Sequence, residues 1–256
     1  MHNDSLQLRN RVAVVTGGSR GIGRAVCNRF AEMGARVVVN YVSDEEAANE
    51  VVEAAQGRGV EAIAFRADVS KLGDAENLVQ ATVEHFERLD FLICNAGIWS
   101  GGPVEEITNK LWDATVEINL KGTWSVCRAA VPQMKEQQHG RIVIVSSTAG
   151  QRGEAGYSNY AASKGGQIAF MKSLASELAP FGIAVNAVAP GWVNTEMTEE
   201  ELADEEALRA AVATIPLGRI ATPDEIAWPI VFLCSDWAGY INGEVINVNG
   251  GSVLCG

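Results

Sequence analysis

A tyrosine and a lysine four positions apart, Tyr160 and Lys164, follow Ser147, which closes an apolar run thirteen positions before the tyrosine. On a helix, positions i and i+4 share a face, so the lysine ammonium can lie beneath the phenol ring or beside its hydroxyl. A free tyrosine has a pKa near ~10 and moves protons poorly at neutral pH. A cation within about 4–6 Å strengthens an acid roughly ten- to a thousandfold, which brings the phenol toward the range of an acid–base group. Ser147 adds a hydroxyl that can hold a reacting oxygen while the tyrosine moves the proton. The same spacing also occurs in snorkelling surface pairs, so the neighbouring motifs decide between the two readings.

Near the N-terminus, residues 11–16 read as a buried strand, followed at once by Gly17-Gly18-Ser19-Arg20-Gly21-Ile22-Gly23 and an amphipathic helix over 24–33. A strand, a glycine turn and a helix start present open backbone N–H groups and the positive end of the helix dipole to a phosphate. The missing side chains let the backbone approach it closely. The spacing is G-x3-G-x-G instead of the commoner G-x-G-x-x-G, and an ordinary strand–helix turn is the alternative.

Taken together, Thr16-Gly17 with Gly21-Ile22-Gly23, Asn95-Ala96-Gly97, Asn119, Ser147, Tyr160, Lys164 and Pro190-Gly191 resemble the motif set of the short-chain dehydrogenase/reductase family. The look is closest to its bacterial 3-oxoacyl carrier-protein reductases, and the likeness runs from about residue 9 to residue 251. The resemblance implies a catalytic set of Asn119, Ser147, Tyr160 and Lys164. In it Lys164 also holds the nicotinamide ribose, and Asn119 opens its helix to hold a water leading to the lysine. A solvated mid-helix position is the plain alternative for Asn119. The implied cofactor cradle is Gly17, Ser19, Arg20, Gly21, Ile22, Gly23, Asp68, Val69, Asn95, Ala96, Gly97, Pro190, Gly191, Val193 and Thr195, with Tyr160 and Lys164. Asp68 either accepts from the adenine amino group or caps the next helix, and Thr195 is placed at the nicotinamide carboxamide.

Composition agrees. A chain of 256 residues can bury one sizeable core, and 47% hydrophobic residues with no apolar run approaching 18 positions exclude a helical membrane span. No apolar signal region follows Met1-His2-Asn3-Asp4-Ser5, so a soluble cytoplasmic protein is expected. The five cysteines are scattered, with no C-x-x-C and no histidine cluster, which excludes a metal site. A net charge of −12 argues against nucleic acid and anionic membranes as partners.

Short Val/Ile-rich runs at 37–40, 62–66, 91–95, 142–146 and 184–189 alternate with helical stretches. That alternation predicts a single domain over 1–256: an α/β, doubly wound, Rossmann-like parallel sheet of about seven strands with helices on both faces. One long helix is expected over 109–135, and ligands should gather at the carboxyl ends of the strands.

The resulting expectation is an NADPH-dependent reductase of a 3-oxoacyl ester, thioester or free ketone. A sugar or steroid alcohol dehydrogenase working oxidatively, and a silent dinucleotide-binding sensor, are the alternatives. For the cofactor, NADP(H) is expected over NAD(H): Tyr41 and Val42 stand where an acid would hold the ribose hydroxyls, and Arg20 can pair with a 2′-phosphate. Asp44, Glu45 and Glu46 oppose that phosphate unless they serve the first turn of a helix capped by Ser43. The resemblance implies a homotetramer, whose helix pairing would use Trp112, Trp124, Phe170, Met171 and Leu174, although all five can instead pack on their own sheet. Trp99, Tyr157, Trp192 and Met197 are expected to line the substrate pocket beneath an acidic lid at 199–206. Few basic residues are left to dock an acidic carrier protein, Lys135 and Arg152 being the substitutes.

Overall fold

The computed structural model describes residues 8–255; His2 and the 1–5 segment lie outside them. Seven strands, β1 (Val12–Val15), β2 (Arg36–Tyr41), β3 (Ala62–Arg66), β4 (Phe91–Cys94), β5 (Gly140–Val145), β6 (Ile183–Pro190) and β7 (Val245–Val248), form one sheet in the order β3-β2-β1-β4-β5-β6-β7. Every pairing is parallel. The expected doubly wound sheet is thus present, with its reversal of strand order between β1 and β4. The central strands read as unbroken apolar runs because both faces are covered.

Helices α1 (Gly21–Glu32) and α2 (Glu45–Gln56) follow β1 and β2, and α3 (Leu72–Phe86) follows β3. Between β4 and β5 come α4 (Asn109–Thr115), a π-helical turn Val116–Lys121 and α5 (Gly122–Gln137). Then follow α6 (Thr148–Arg152), α7 (Ser158–Leu178), α8 (Glu199–Ala203), α9 (Glu205–Ala213) and α10 (Pro223–Cys234). Core side chains of α1, α2 and α10 cover one face, and those of α3, α5 and α7 the other. Among the described residues no helix is long and apolar enough to cross a membrane.

Several local expectations change. The first helix begins at Gly21, not at residue 24, so the last two glycines of the loop form its first turn. The α2 cap is Asp44, whose carboxylate accepts from Ala47 N–H at 2.9 Å; Ser43 does not serve. Asp68 caps no helix, since α3 starts at Leu72 with Lys71 as its cap residue. The 109–135 helix is interrupted by the π turn that carries Asn119. Met171 is fully buried in its own core, so it is not a spare apolar residue for an interface, whereas Trp112 and Trp124 are 42% and 40% exposed.

Candidate active site

The glycine turn is held open by three side chains at the strand ends. Gly17 has φ +62°, a conformation that disfavours a side chain. A Cβ on Gly23 would lie 2.1 Å from the Gly17 carbonyl oxygen, so only glycine lets α1 pack against the loop. Thr16 Oγ1 accepts from the N–H groups of Asn95 and Ala96 at 2.9 and 3.0 Å, and Asn95 Nδ2 donates back to the Thr16 and Gly17 carbonyls. Asn40, which the sequence reading missed, is buried; its Oδ1 accepts from Gly17 N–H at 3.3 Å while its Nδ2 donates to the Ala67 carbonyl at 2.9 Å. Three strand ends are thereby locked around the loop.

A dinucleotide fits this cradle. Arg20, in the cap position of α1, places no side-chain bond on the first-turn N–H groups, which leaves those donors facing the loop. Ser19 is buried, and Ile22 begins to pack on the core behind it. Thr195 lies across from the start of α1, with its Cγ2 3.4 Å from where a Gly21 Cβ would stand. Val193 is buried and bridges to Ala221; Pro190 ends β6, and Gly191 N–H donates to the Val248 carbonyl. Asp68 uses its carboxylate locally, accepting from Ser70 Oγ at 2.7 Å and pairing with Lys71 at 3.4 Å, with Val69 buried beside it.

Ser147, Tyr160 and Lys164 converge where β5 ends. Ser147 has extended backbone and caps α6, its Oγ accepting from Ala149 N–H at 3.1 Å. Ser146 points the other way, donating to the Lys164 carbonyl at 3.0 Å, as strand alternation requires. Lys164 is 4% exposed, its ammonium donates to the Val145 carbonyl at 2.8 Å, and its Nζ lies 5.6 Å from the Tyr160 ring centre. A Cβ on Gly97 would come within 3.1 Å of Asn119 Oδ1 and 3.6 Å of Lys164 Nζ, so Gly97 keeps the space between them open.

The protonation balance differs from the expected one. Burial pushes Tyr160 up to about 12, against a lowering hydrogen bond from Ser147 and with a further raising contribution from Glu154. Burial also lowers Lys164 to about 8. In the protein without cofactor, desolvation therefore outweighs the pairing of the two residues.

Asn119 is fully buried, which removes the solvated reading. Its Oδ1 accepts from Ile98 N–H at 2.8 Å, and its Nδ2 donates to the Ile98 carbonyl at 3.0 Å and to Ser163 Oγ at 3.1 Å. The Asn119 carbonyl, freed by the π turn, accepts from Gln167 Nε2 at 2.7 Å and Thr123 Oγ1 at 2.8 Å. Gln167 is a second site residue that no motif marks in the sequence.

Of the four pocket residues, three meet. Trp99 stacks on Tyr157 at 4.6 Å and meets Trp192 edge-on at 5.7 Å, while Met197 is 47% exposed in the loop before α8. Glu154, also missed, accepts from Tyr157 N–H at 3.1 Å through its backbone carbonyl; burial raises the pKa of its carboxyl against the lowering effect of Arg152. The acidic stretch forms α8 and the start of α9, and Glu201 lies near enough to Tyr157 to raise its pKa further, after burial. Lys135 does not serve the pocket mouth: it stands 4.4 Å from the Phe181 ring centre and 3.9 Å from Glu177.

Residues 17–252 match the family model described as "Enoyl-(Acyl carrier protein) reductase". The chain is 41% identical to a 3-oxoacyl-(acyl-carrier-protein) reductase of Synechocystis over 96% of this chain and 98% of that protein. It is 39% identical to the Thermotoga maritima enzyme of the same description over 97% of this chain and all of that one. Among solved structures, gox2181 superposes with TM-score 0.92 at 37% identity, covering 96% of this chain and 97% of that one. A Beutenbergia cavernae protein, proposed to be an NAD(P)-dependent gluconate 5-dehydrogenase and holding NADP at low occupancy, matches with TM-score 0.91 at 38% identity, over 96% and 98% of the two chains. The cradle, the Ser–Tyr–Lys cluster and these full-length likenesses place the chain in the short-chain dehydrogenase/reductase family, as an NAD(P)-dependent oxidoreductase.

Proposed function

We propose that the protein reduces the ketone of a 3-oxoacyl ester or thioester, or a related uncharged ketone, to a secondary alcohol with NADPH. The observation that carries this reading is the convergence of Ser147, Tyr160 and Lys164 at the end of β5, beside an open glycine cradle. The nicotinamide, when bound, supplies the hydride. Ser147 holds the carbonyl oxygen, and Tyr160 delivers a proton to that same oxygen as charge develops on it. Lys164 steadies the phenolate left behind and holds the ribose hydroxyls. Asn119 fixes Ile98 and the loop that leads to Trp99, which keeps the pocket wall in register with the proton donor.

The preference for NADPH is supported by Arg20, whose side chain is not spent on capping α1; Asp44, Glu45 and Glu46, at the cap and first turn of α2, are the opposing charges. Tyr41, buried at the end of β2, stands where an acid would hold the ribose; Val42, 52% exposed, follows it, and Arg66 donates to its carbonyl at 3.0 Å from the end of β3. The relatives' carrier-protein substrates favour a 3-oxoacyl thioester. Against carrier docking, Arg152 is the basic residue left beside the pocket. A cytoplasmic setting is supported by Cys94 and Cys127, buried thiols whose sulfurs lie 3.7 Å apart without a bridge. A panel of ketones and 3-oxoacyl thioesters, free and carrier-bound, assayed by NADPH absorbance, tests the reading. It fails if none is turned over, and a hundredfold preference for the carrier-bound substrate would assign the protein to fatty-acid synthesis.

A further inference from the structure

Three aromatic rings reach one another over the strand end where the proposed chemistry sits. Trp99 follows β4 and Trp192 follows β6, and β5, which ends next to Ser147, lies between those two strands. Strands two places apart stand roughly 10 Å from each other, yet the two indole rings meet edge-on at 5.7 Å. The contact therefore crosses the end of β5. Tyr157, at the cap of α7 and one turn before Tyr160, stacks on Trp99 at 4.6 Å with the two rings 9° from parallel. A stack that close holds no third group between its members.

The bar is tied down in each loop that carries it. Gly102 N–H donates to the Gly156 carbonyl at 2.6 Å, and Asn159 Nδ2 donates to the Ser100 carbonyl at 3.0 Å, which joins the Trp99 loop to the Tyr157 loop. A Cβ on Gly101 would lie 2.5 Å from Tyr157 Cδ1, so glycine there lets the two loops close on each other. On the other side, the Trp192 carbonyl accepts from Ala221 N–H at 3.1 Å, and Asn194 N–H donates to the Ala221 carbonyl at 2.9 Å. Backbone bonds on both sides of the contact hold the rings in place.

We propose that Trp99, Tyr157 and Trp192 form a chain-length stop, which admits ketones with a short alkyl group beyond the carbonyl and rejects longer ones. This rests on the reductase reading and narrows its substrate class to short-chain 3-oxo esters, 3-oxo thioesters and ketones of similar size. In an open apolar channel the order is the reverse, because each added methylene that is buried strengthens binding. Against rings already packed on one another, added methylenes find no space, and entering would break the aromatic pairs. Such exclusion is a specificity device separate from any attractive contact.

Ethyl 3-oxobutanoate, 3-oxohexanoate and 3-oxooctanoate share one ester group and differ only in the chain beyond the ketone. For the wild type, kcat/KM with NADPH should fall by about tenfold or more from the first to the last. Trp99→Ala opens the stop and should offset that fall by about tenfold, through the KM of the longest ester, whereas Trp99→Phe keeps a ring and should retain most of it. Trp192→Ala opens the stop from the other strand and should act like Trp99→Ala. A merely structural role for these side chains would lower all three esters alike. A wild type that turns over the octanoate as well as the butanoate overturns the assignment, as does an order that neither alanine variant changes. Dissociation constants of the same esters with oxidised NADP bound, where no hydride is available, separate the two readings. If no ester is reduced yet binding weakens with length and recovers in the alanine variants, the stop holds and the reductase reading falls; if binding strengthens with length, the stop falls.

Discussion

The Lys164 ammonium donates to the Val145 carbonyl at 2.8 Å, which anchors the lysine to the end of β5 whether or not a ribose is present. The anchor comes with a burial penalty, because Lys164 is lowered from its ordinary 10.5 to about 8. Below pH 8 the folded state carries the full penalty. Between pH 8 and 10.5 the unfolded chain holds a proton that the folded state has released, so this group makes stability rise with pH. Lys164→Met should therefore stabilise the protein without cofactor at pH 7 by about 1–3 kcal/mol, flatten that rise and abolish turnover. Denaturant unfolding of both proteins at pH 7 and pH 9.5 checks it; a less stable variant at pH 7 contradicts the burial argument.

Asn119→Ala should leave the N–H and carbonyl of Ile98 without their partner. Losing these buried bonds should cost about 2–4 kcal/mol of stability. The loop carrying Trp99 should loosen, and kcat/KM should fall with it. Chemical denaturation showing a loss below about 0.5 kcal/mol would mean that the amide is dispensable to the loop.

Arg20→Ala is expected to weaken NADPH binding by about tenfold, since a charge-assisted bond to a 2′-phosphate contributes about 1.5–3 kcal/mol. NADH binding should stay unchanged. Equal losses for the two cofactors, or none for NADPH, would remove Arg20 from the 2′-phosphate role.

We expect a homotetramer, with Trp112 and Trp124 at a helix-pairing interface. Arg128 lies 5.6 Å from the Trp124 ring centre and extends that exposed surface. Sedimentation at micromolar concentration should show an assembly, and Trp124→Glu should dissociate it. A stable wild-type monomer contradicts the expectation.

Much of this was legible in the sequence because it is local. The glycine loop, six strands and the Ser–Tyr–Lys cluster are each written in a few adjacent residues. β7 was counted but not located, since Val245–Val248 is a short edge strand between glycine turns. Asn40 and Gln167 gave no signal because their partners lie far along the chain: Asn40 reaches Gly17 and Ala67, and Gln167 reaches Asn119. The direction of the Tyr160 shift was misjudged for a related reason. Spacing shows that a cation is near, but not that burial outweighs it.

Proton delivery by Tyr160 is decided by Tyr160→Phe, which removes the hydroxyl and keeps the ring. With a 3-oxoacyl thioester and NADPH, turnover should fall by at least about a thousandfold while NADPH binding stays within about twofold of wild type. Activity within tenfold of wild type would rule out Tyr160 as the proton donor.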